Sequence, residues 1–173
     1  MQIHHHQVLA AALAAAIGTL APAAARTTEA DYIGLFNGAW DGSGIVLNDA
    51  KPWPVNCTAV GLPGVNRLAI RASCRVLLVI SVNINVDITY NPRSDRYSGT
   101  YSAGDMTAAI SGKRNGDTVD FAMTWDKPID VAGNTSGRLT IVNPGHGDFR
   151  LLIDNLKKNG PEERTSDVLL TQT

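Results

Sequence analysis

Residues 97–125 read YSGTYSAGDMTAAISGKRNGDTVDFAMTW, and this stretch decides the fold class. It holds three short segments in which apolar and polar residues alternate, the period of a half-buried β-strand. A loop at Ser102–Asp105 separates the first two segments. Asn115-Gly116, a dipeptide typical of two-residue hairpin turns, separates the second from the third. The stretch therefore predicts a three-stranded antiparallel meander.

The two turns also predict which residues face each other across this meander. The expected rows are Tyr97 with Ile110 and Phe121, Gly99 with Ala108 and Met123, and Tyr101 with Met106 and Trp125. All of these residues share one face, while the opposite face carries mostly Ser, Thr and Asp. Because a slip of one residue would invert a whole strand, the agreement of three strands is strong support for this face as the core.

Similar segments precede and follow this meander. Residues 80–90 alternate aliphatic with polar side chains without a break, and further strands are expected at 38–47, 55–61, 68–76, 136–142, 149–155 and 165–172. Turn signals at Asn91-Pro92, Asn143-Pro144-Gly145 and Asn159-Gly160 separate several of them. Closure removes exposed strand edges, so the pattern favours an all-β fold, a single antiparallel up-and-down β-barrel of about 8–10 strands.

Two segments depart from the strand pattern. Residues 27–37 are expected to form a lead-in with one helical turn. Lys51-Pro52-Trp53-Pro54 is expected to be a loop, because proline lacks the N–H that a central strand needs. Glycines at 38, 42 and 44 predict bending or close backbone approach in the first strand.

The N-terminal residues have the composition of a secretory signal peptide. Val8–Leu20 is an apolar run of about 13 residues, too short for a membrane span of roughly 20. Ala23 and Ala25 fit a cleavage site before Arg26, although His4-His5-His6 stands where Lys or Arg is usual. We expect a signal peptide at 1–25, a single barrel domain at 26–173, and a periplasmic or secreted protein.

Cys57 and Cys74 are the two cysteines of the chain. A hairpin centred between Val65 and Asn66 places them directly opposite each other, and an even count in an exported domain favours a disulfide. A competing register, centred on Pro63-Gly64, would place Cys57 opposite Ile70 and leave two buried thiols.

The charged and titratable residues exclude several functions. Lys and Arg number 15 against 16 Asp and Glu, with no basic run, so nucleic acid is not expected as a partner. No transmembrane segment is expected in the mature chain. His146 lies between glycines and is expected to be a solvated loop residue, and Asp126 and Asp130 are expected to cap a turn. No catalytic residue and no metal site are predicted.

Gly38-x-Trp40, preceded by Tyr32 and Phe36, resembles the start of the lipocalins and their calycin relatives. In that family a helical turn precedes a Gly-x-Trp strand, and the Trp plugs the closed end of the barrel. The resemblance implies that a late basic residue, here Arg164, packs on Trp40. The short strands are also similar to the nitrobindin type, which binds haem through a late His. No His follows His146, so that ligand is missing and no cofactor is expected.

A hollow barrel of this kind would bind a small apolar or amphipathic molecule in its interior. The expected lining is Trp40, Tyr97, Tyr101, Met106, Phe121, Met123 and Trp125, with Tyr101, Met106 and Trp125 at the open end. A filled core is an equal alternative, since side chains alone can fill a small barrel. The chain would then be a protein-interaction module that acts through surface loops, with Lys51–Pro54 as the projecting apolar loop. An outer-membrane barrel and a barrel-housed enzyme are further alternatives.

Overall fold

The computed structural model describes residues 27–48, 51–77, 79–156 and 161–173. The predicted signal peptide and the Asn159-Gly160 turn lie outside the described residues. The elements are α1 (Glu29–Gly34), β1 (Gly38–Asn48), β2 (Lys51–Gly64), β3 (Arg67–Val76), β4 (Ile80–Asn91), β5 (Arg96–Ala103), β6 (Met106–Asn115), β7 (Thr118–Trp125), β8 (Ser136–Val142), β9 (Asp148–Asn155) and β10 (Glu163–Gln172).

Each strand pairs antiparallel with its neighbours in sequence, and β1 closes the ring by pairing with β10. The predicted all-β, up-and-down barrel is confirmed, as is the helical turn before the first strand. Outward positions of β4 to β7 are mostly polar and exposed, so these four strands carry no continuous apolar outer band. Among the described residues, no helix is long and apolar enough to cross a bilayer.

The faces predicted for the 97–125 meander are confirmed, but the predicted partners are wrong by two residues. Tyr101 faces Ala108, and Ala108 faces Trp125. The reason is that both turns are centred one residue later in the chain than predicted. Their central residues are Gly104-Asp105 and Gly116-Asp117, and each glycine has a positive φ. A shift of two residues preserves the alternation, so every side chain stays on its predicted face.

The prediction of a loop at Lys51–Pro54 is wrong, because these residues form the start of β2. Pro52 pairs with Leu47 and Pro54 with Ile45, both on β1. Pairing of β2 with β3 begins only at Val55. This section of β2 therefore has an unpaired edge on the side of β3. Proline is tolerated there because its missing N–H is not needed for a hydrogen bond between strands. Trp53 is partly buried and packs against the core rather than projecting into solvent.

Glycine permits close approach of neighbouring strands at inward positions of β1 and β6. A Cβ at Gly42 would lie 2.1 Å from the carbonyl oxygen of Leu169, and one at Gly112 would lie 2.0 Å from that of Asp120. Both distances are far inside van der Waals contact, so no larger residue fits without moving a strand. The close approach predicted for Gly42 is confirmed.

The predicted disulfide is present and joins directly opposed residues of β2 and β3. Gly64 pairs with Arg67, which is the register centred between Val65 and Asn66. Cys57 and Cys74 are both 4% exposed and belong to the core of the barrel. A disulfide is consistent with an exported protein.

Candidate functional site

Helix α1 plugs the end of the barrel at which β1 begins. Thr28 caps the helix: its hydroxyl accepts from the backbone N–H of Asp31 at 3.1 Å, and the Asp31 carboxylate accepts from the N–H of Thr28 at 3.2 Å. Ile33 of the helix and Phe36, which follows it, are both buried. We call this the plugged end.

Trp40 lies in the core at the plugged end and is 1% exposed. Its indole N–H donates to the carbonyl oxygen of Phe36 at 3.0 Å, and its ring packs edge-on against Phe149 at 4.8 Å. The polar atom of the indole is thus satisfied by the lead-in to the first strand. This Trp secures α1 to the barrel.

A second set of contacts, which we call the Glu29 clasp, consists of Glu29, Tyr32, Tyr97 and Arg114. The Arg114 guanidinium donates to the Glu29 carboxylate at 2.8 Å and lies 5.0 Å from the centre of the Tyr32 ring. The Tyr97 hydroxyl also donates to Glu29. Burial raises the pKa of both Tyr32 and Tyr97, so both phenols remain protonated at neutral pH.

Three of the residues predicted to line a ligand site lie at the plugged end, near the Glu29 clasp. Tyr97 points into the barrel, as expected, but its phenol is used to hold α1. Phe121 is 1% exposed and packs against Tyr97, with ring centres 6.3 Å apart. Trp40, Tyr97 and Phe121 therefore belong to the plugged half of the interior.

The implied contact between Arg164 and Trp40 is wrong. Trp40 pairs with Gln172, at the far end of β10, whereas Arg164 lies near the start of that strand. Eight residues of strand separate the two positions, or about 26 Å. Arg164 instead forms an ion pair with the buried carboxylate of Asp154. The basic residue that covers an aromatic ring at the plugged end is Arg114, over Tyr32.

The opposite end of the barrel, which we call the mouth, has no helical plug in the described residues. Several inward-facing apolar side chains toward this end are only partly buried: Val46, Trp53, Ala72, Ile84, Ala103 and Met106. Leu35 and Tyr90 at the plugged end are partly buried as well. Tyr101 and Trp125 pack edge-to-face beside them, with ring centres 5.7 Å apart. The structure thus brings Tyr101, Met106 and Trp125 to one end, while Met123 lies deeper and is 2% exposed.

A narrow cavity lies inside the barrel, lined by the disulfide, Tyr101, Ile84, Ile153 and Ser166 among others. The volume open to the centre of a water molecule is about 20 Å³, enough for roughly one water. Most of the interior is therefore filled by side chains. Burial alone raises the pKa of Tyr101, so its phenol stays protonated at neutral pH.

The remaining titratable candidates are His146, Asp126 and Asp130. His146 is exposed in the connection between β8 and β9. Asp130 accepts from two N–H groups of its own loop at 2.9 Å each and caps that turn, as predicted. Asp126 does not cap a turn of its own; it accepts from the N–H of Thr107 on β6. Within the described ranges, no three His, Cys, Asp or Glu side chains cluster as a metal site would require.

Sequence reasoning missed both the clasp and part of the mouth. Alternation shows that Ala72 and Ile84 point inward, but it does not show which end of the barrel leaves them exposed. Arg114 falls at an inward position of β6 by alternation, but it lies next to a turn, where a solvated charge is usual.

Comparison with known proteins supports the fold and nothing finer. No protein-family model matches the chain, and no curated protein matches it in sequence. Among solved structures, the crystal structure of Rv2717c from M. tuberculosis is similar, with a TM-score of 0.61 and 12% identity. The match covers 84% of this chain and 98% of that one. At this identity the likeness shows a shared barrel architecture.

Proposed function

We propose that this barrel binds a small, slender apolar or amphipathic molecule at its mouth. The observation that carries the proposal is the contrast between the two ends. One end is closed by α1, Trp40 and the Glu29 clasp, whereas the other exposes aliphatic side chains that belong to the interior. Apolar concave surface with a few polar groups is the usual form of a small-molecule site.

The size of the cavity limits how such a ligand binds. A space of about 20 Å³ does not hold a drug-sized molecule, whose pockets measure roughly 300–1,000 Å³. A bound chain must therefore displace flexible side chains at the mouth, of which Met106 is the most adaptable. This favours a thin aliphatic chain over a wide ring system.

Filling the mouth tests the proposal. Ala72 faces inward, is partly exposed and lines the cavity, so Ala72→Leu places extra carbons where the ligand would lie. Ala109 is exposed on the outward face of β6, so Ala109→Leu is the matched control. Native mass spectrometry and thermal shift with decane and 1-decanol should show binding to the wild type and the control and loss in Ala72→Leu. No binding to the wild type would refute the proposal.

A protein-interaction role is the second candidate, favoured by exposed apolar side chains on two connections at the mouth. Val79 is 81% exposed beside β4, and Val131 is fully exposed between β7 and β8. These residues replace Lys51–Pro54 as the surface for a partner. Co-purification of a single protein with the wild type, lost in the double variant Val79→Ser/Val131→Ser, would favour this candidate.

We further propose a calycin-like relationship and a periplasmic or secreted location. The relationship is supported by the buried Trp40 of Gly38-x-Trp40 behind a short helix. The location is supported by the disulfide and by the predicted signal peptide.

A further inference from the structure

The mouth holds a buried donor that the chain does not satisfy. Trp125 is 9% exposed, and its indole nitrogen is buried without a hydrogen-bond partner among the described residues. Nearly all buried polar groups in proteins are paired, so each exception calls for an explanation. The neighbouring Tyr101 lines the cavity, and burial is the cause that raises the pKa of its phenol.

The aromatic residues of the plugged end behave differently. The Trp40 N–H donates to Phe36, the Tyr32 hydroxyl donates to the carbonyl of Asp117 at 3.3 Å, and the Tyr97 hydroxyl donates to Glu29. These aromatic donors thus have acceptors from the chain, whereas the side-chain Nδ2 of Asn143, in the connection between β8 and β9 at the same end, is buried without one. The unpaired Trp125 N–H differs from that of Asn143 because the Trp125 ring lies against Tyr101, which lines the interior cavity, and this points to an acceptor from outside the chain.

Gly137 packs closely against the Trp125 indole. A Cβ at this inward position of β8 would lie 3.2 Å from the indole nitrogen and 3.2 Å from the carbonyl oxygen of Asp154. Any other residue would press on the indole at this point. Glycine at this position therefore lets the indole nitrogen lie close to the backbone of β8.

The charges near the mouth exclude a strongly charged head group inside it. None of the residues that line the cavity is charged. Asp154, which follows the lining residue Ile153, is buried and forms an ion pair with Arg164. A carboxylate placed beside Trp125 would have no cation, and an ammonium would meet two donors.

Resting on the proposed function, we infer that the ligand is a neutral amphiphile that carries a carbonyl-type acceptor on a slender apolar chain. The Trp125 N–H and the Tyr101 hydroxyl donate to that acceptor while the chain lies among the aliphatic side chains of the mouth. This assigns a ligand class to the site and a positioning role to two of its residues.

Three probes with ten-carbon chains separate the possibilities. The carbonyl oxygen of 2-decanone accepts hydrogen bonds, the ammonium group of decylammonium only donates them, and decane neither accepts nor donates. Affinities are measured by native mass spectrometry and by tryptophan fluorescence. We expect 2-decanone to bind the wild type roughly tenfold more tightly than decane, which is the effect of one good hydrogen bond. Decane is the more hydrophobic molecule, so hydrophobicity alone predicts the opposite order. Decylammonium should bind least.

Two variants remove the donors with little change of shape. Trp125→Phe and Tyr101→Phe should each lower the affinity for 2-decanone several-fold and leave that for decane unchanged. Gly137→Ala presses a methyl group on the indole and should also lower the affinity for 2-decanone. It replaces Trp125→Phe in the test if that variant does not fold. Thr124→Val is the control, because Thr124 is adjacent in the chain but outward and exposed.

The outcomes are distinct. If the wild type binds 2-decanone no better than decane, or if the variants leave the ratio of the two affinities unchanged, the inferred ligand class is wrong and apolar binding stands. If decylammonium binds as well as 2-decanone, the role of the two donors is overturned. If none of the three probes binds, the proposed function itself fails.

Discussion

Replacing Cys57 and Cys74 by alanine removes the covalent link between β2 and β3. The two residues are separated by 17 positions. In the chain-entropy description, a bridge closing a loop of this length stabilises the folded state by about 3 kcal/mol, because it restricts the unfolded chain. Since small domains are stable by roughly 5–15 kcal/mol, this is a large share of the total.

The assay is urea unfolding followed by tryptophan fluorescence, with thermal unfolding alongside. We expect the free energy of unfolding to fall by about 3 kcal/mol and Tm by roughly 6–12 °C. The dependence on urea should steepen, because the unlinked chain exposes more surface when unfolded. Reducing the wild type with dithiothreitol should reproduce the variant, whereas the variant itself should not respond to the reductant. A loss below about 1 kcal/mol, a third of the chain-entropy value, would refute this reasoning.

Three further predictions concern other parts of the barrel. Glu29→Gln weakens the clasp, and we expect a loss of roughly 1–3 kcal/mol in urea unfolding, with earlier hydrogen exchange in α1 than in the strands; equal exchange would contradict the role of the clasp. Gly112→Ala should cost at least about 2 kcal/mol because its Cβ meets backbone, whereas Gly34→Ala, with open space around its Cβ, should be neutral or stabilising. The Thr28 hydroxyl lowers the pKa of Asp31 below its ordinary value of 3.8, so the cap stabilises α1 fully above that pH and this contribution is lost as the pH falls through the lowered pKa. Hydrogen exchange in α1 should show this dependence, and Thr28→Ala should flatten it.

Local alternation was enough to predict the fold class and the inward face. Side chains of a strand point to opposite sides in turn, so the pattern at 80–90 and 97–125 carries that information without any knowledge of distant residues. The Cys57–Cys74 register was predictable for the same reason, since a hairpin involves only neighbouring strands.

The exact cross-strand partners and the strand structure around Pro52 and Pro54 could not be predicted from the sequence pattern. The shift of two residues across β5, β6 and β7 leaves every face unchanged, so alternation cannot detect it. Pro52 and Pro54 indicate a loop unless it is known that β2 extends beyond the end of β3. That edge depends on the relative lengths of strands.

The candidate site was predicted as one set of residues, and the structure separates it into two. Tyr97 and Tyr101 lie on the same face of the same strand, yet the Tyr97 phenol donates to Glu29 and Tyr101 lines the interior cavity toward the mouth. The sequence by itself determined a disulfide-linked barrel with an aromatic interior, because strand period and hairpin turns are local properties of the backbone. Only the tertiary structure decided which end is plugged. That depends on β1 pairing with β10 and on Arg114 reaching Glu29, which are contacts between residues far apart in the chain.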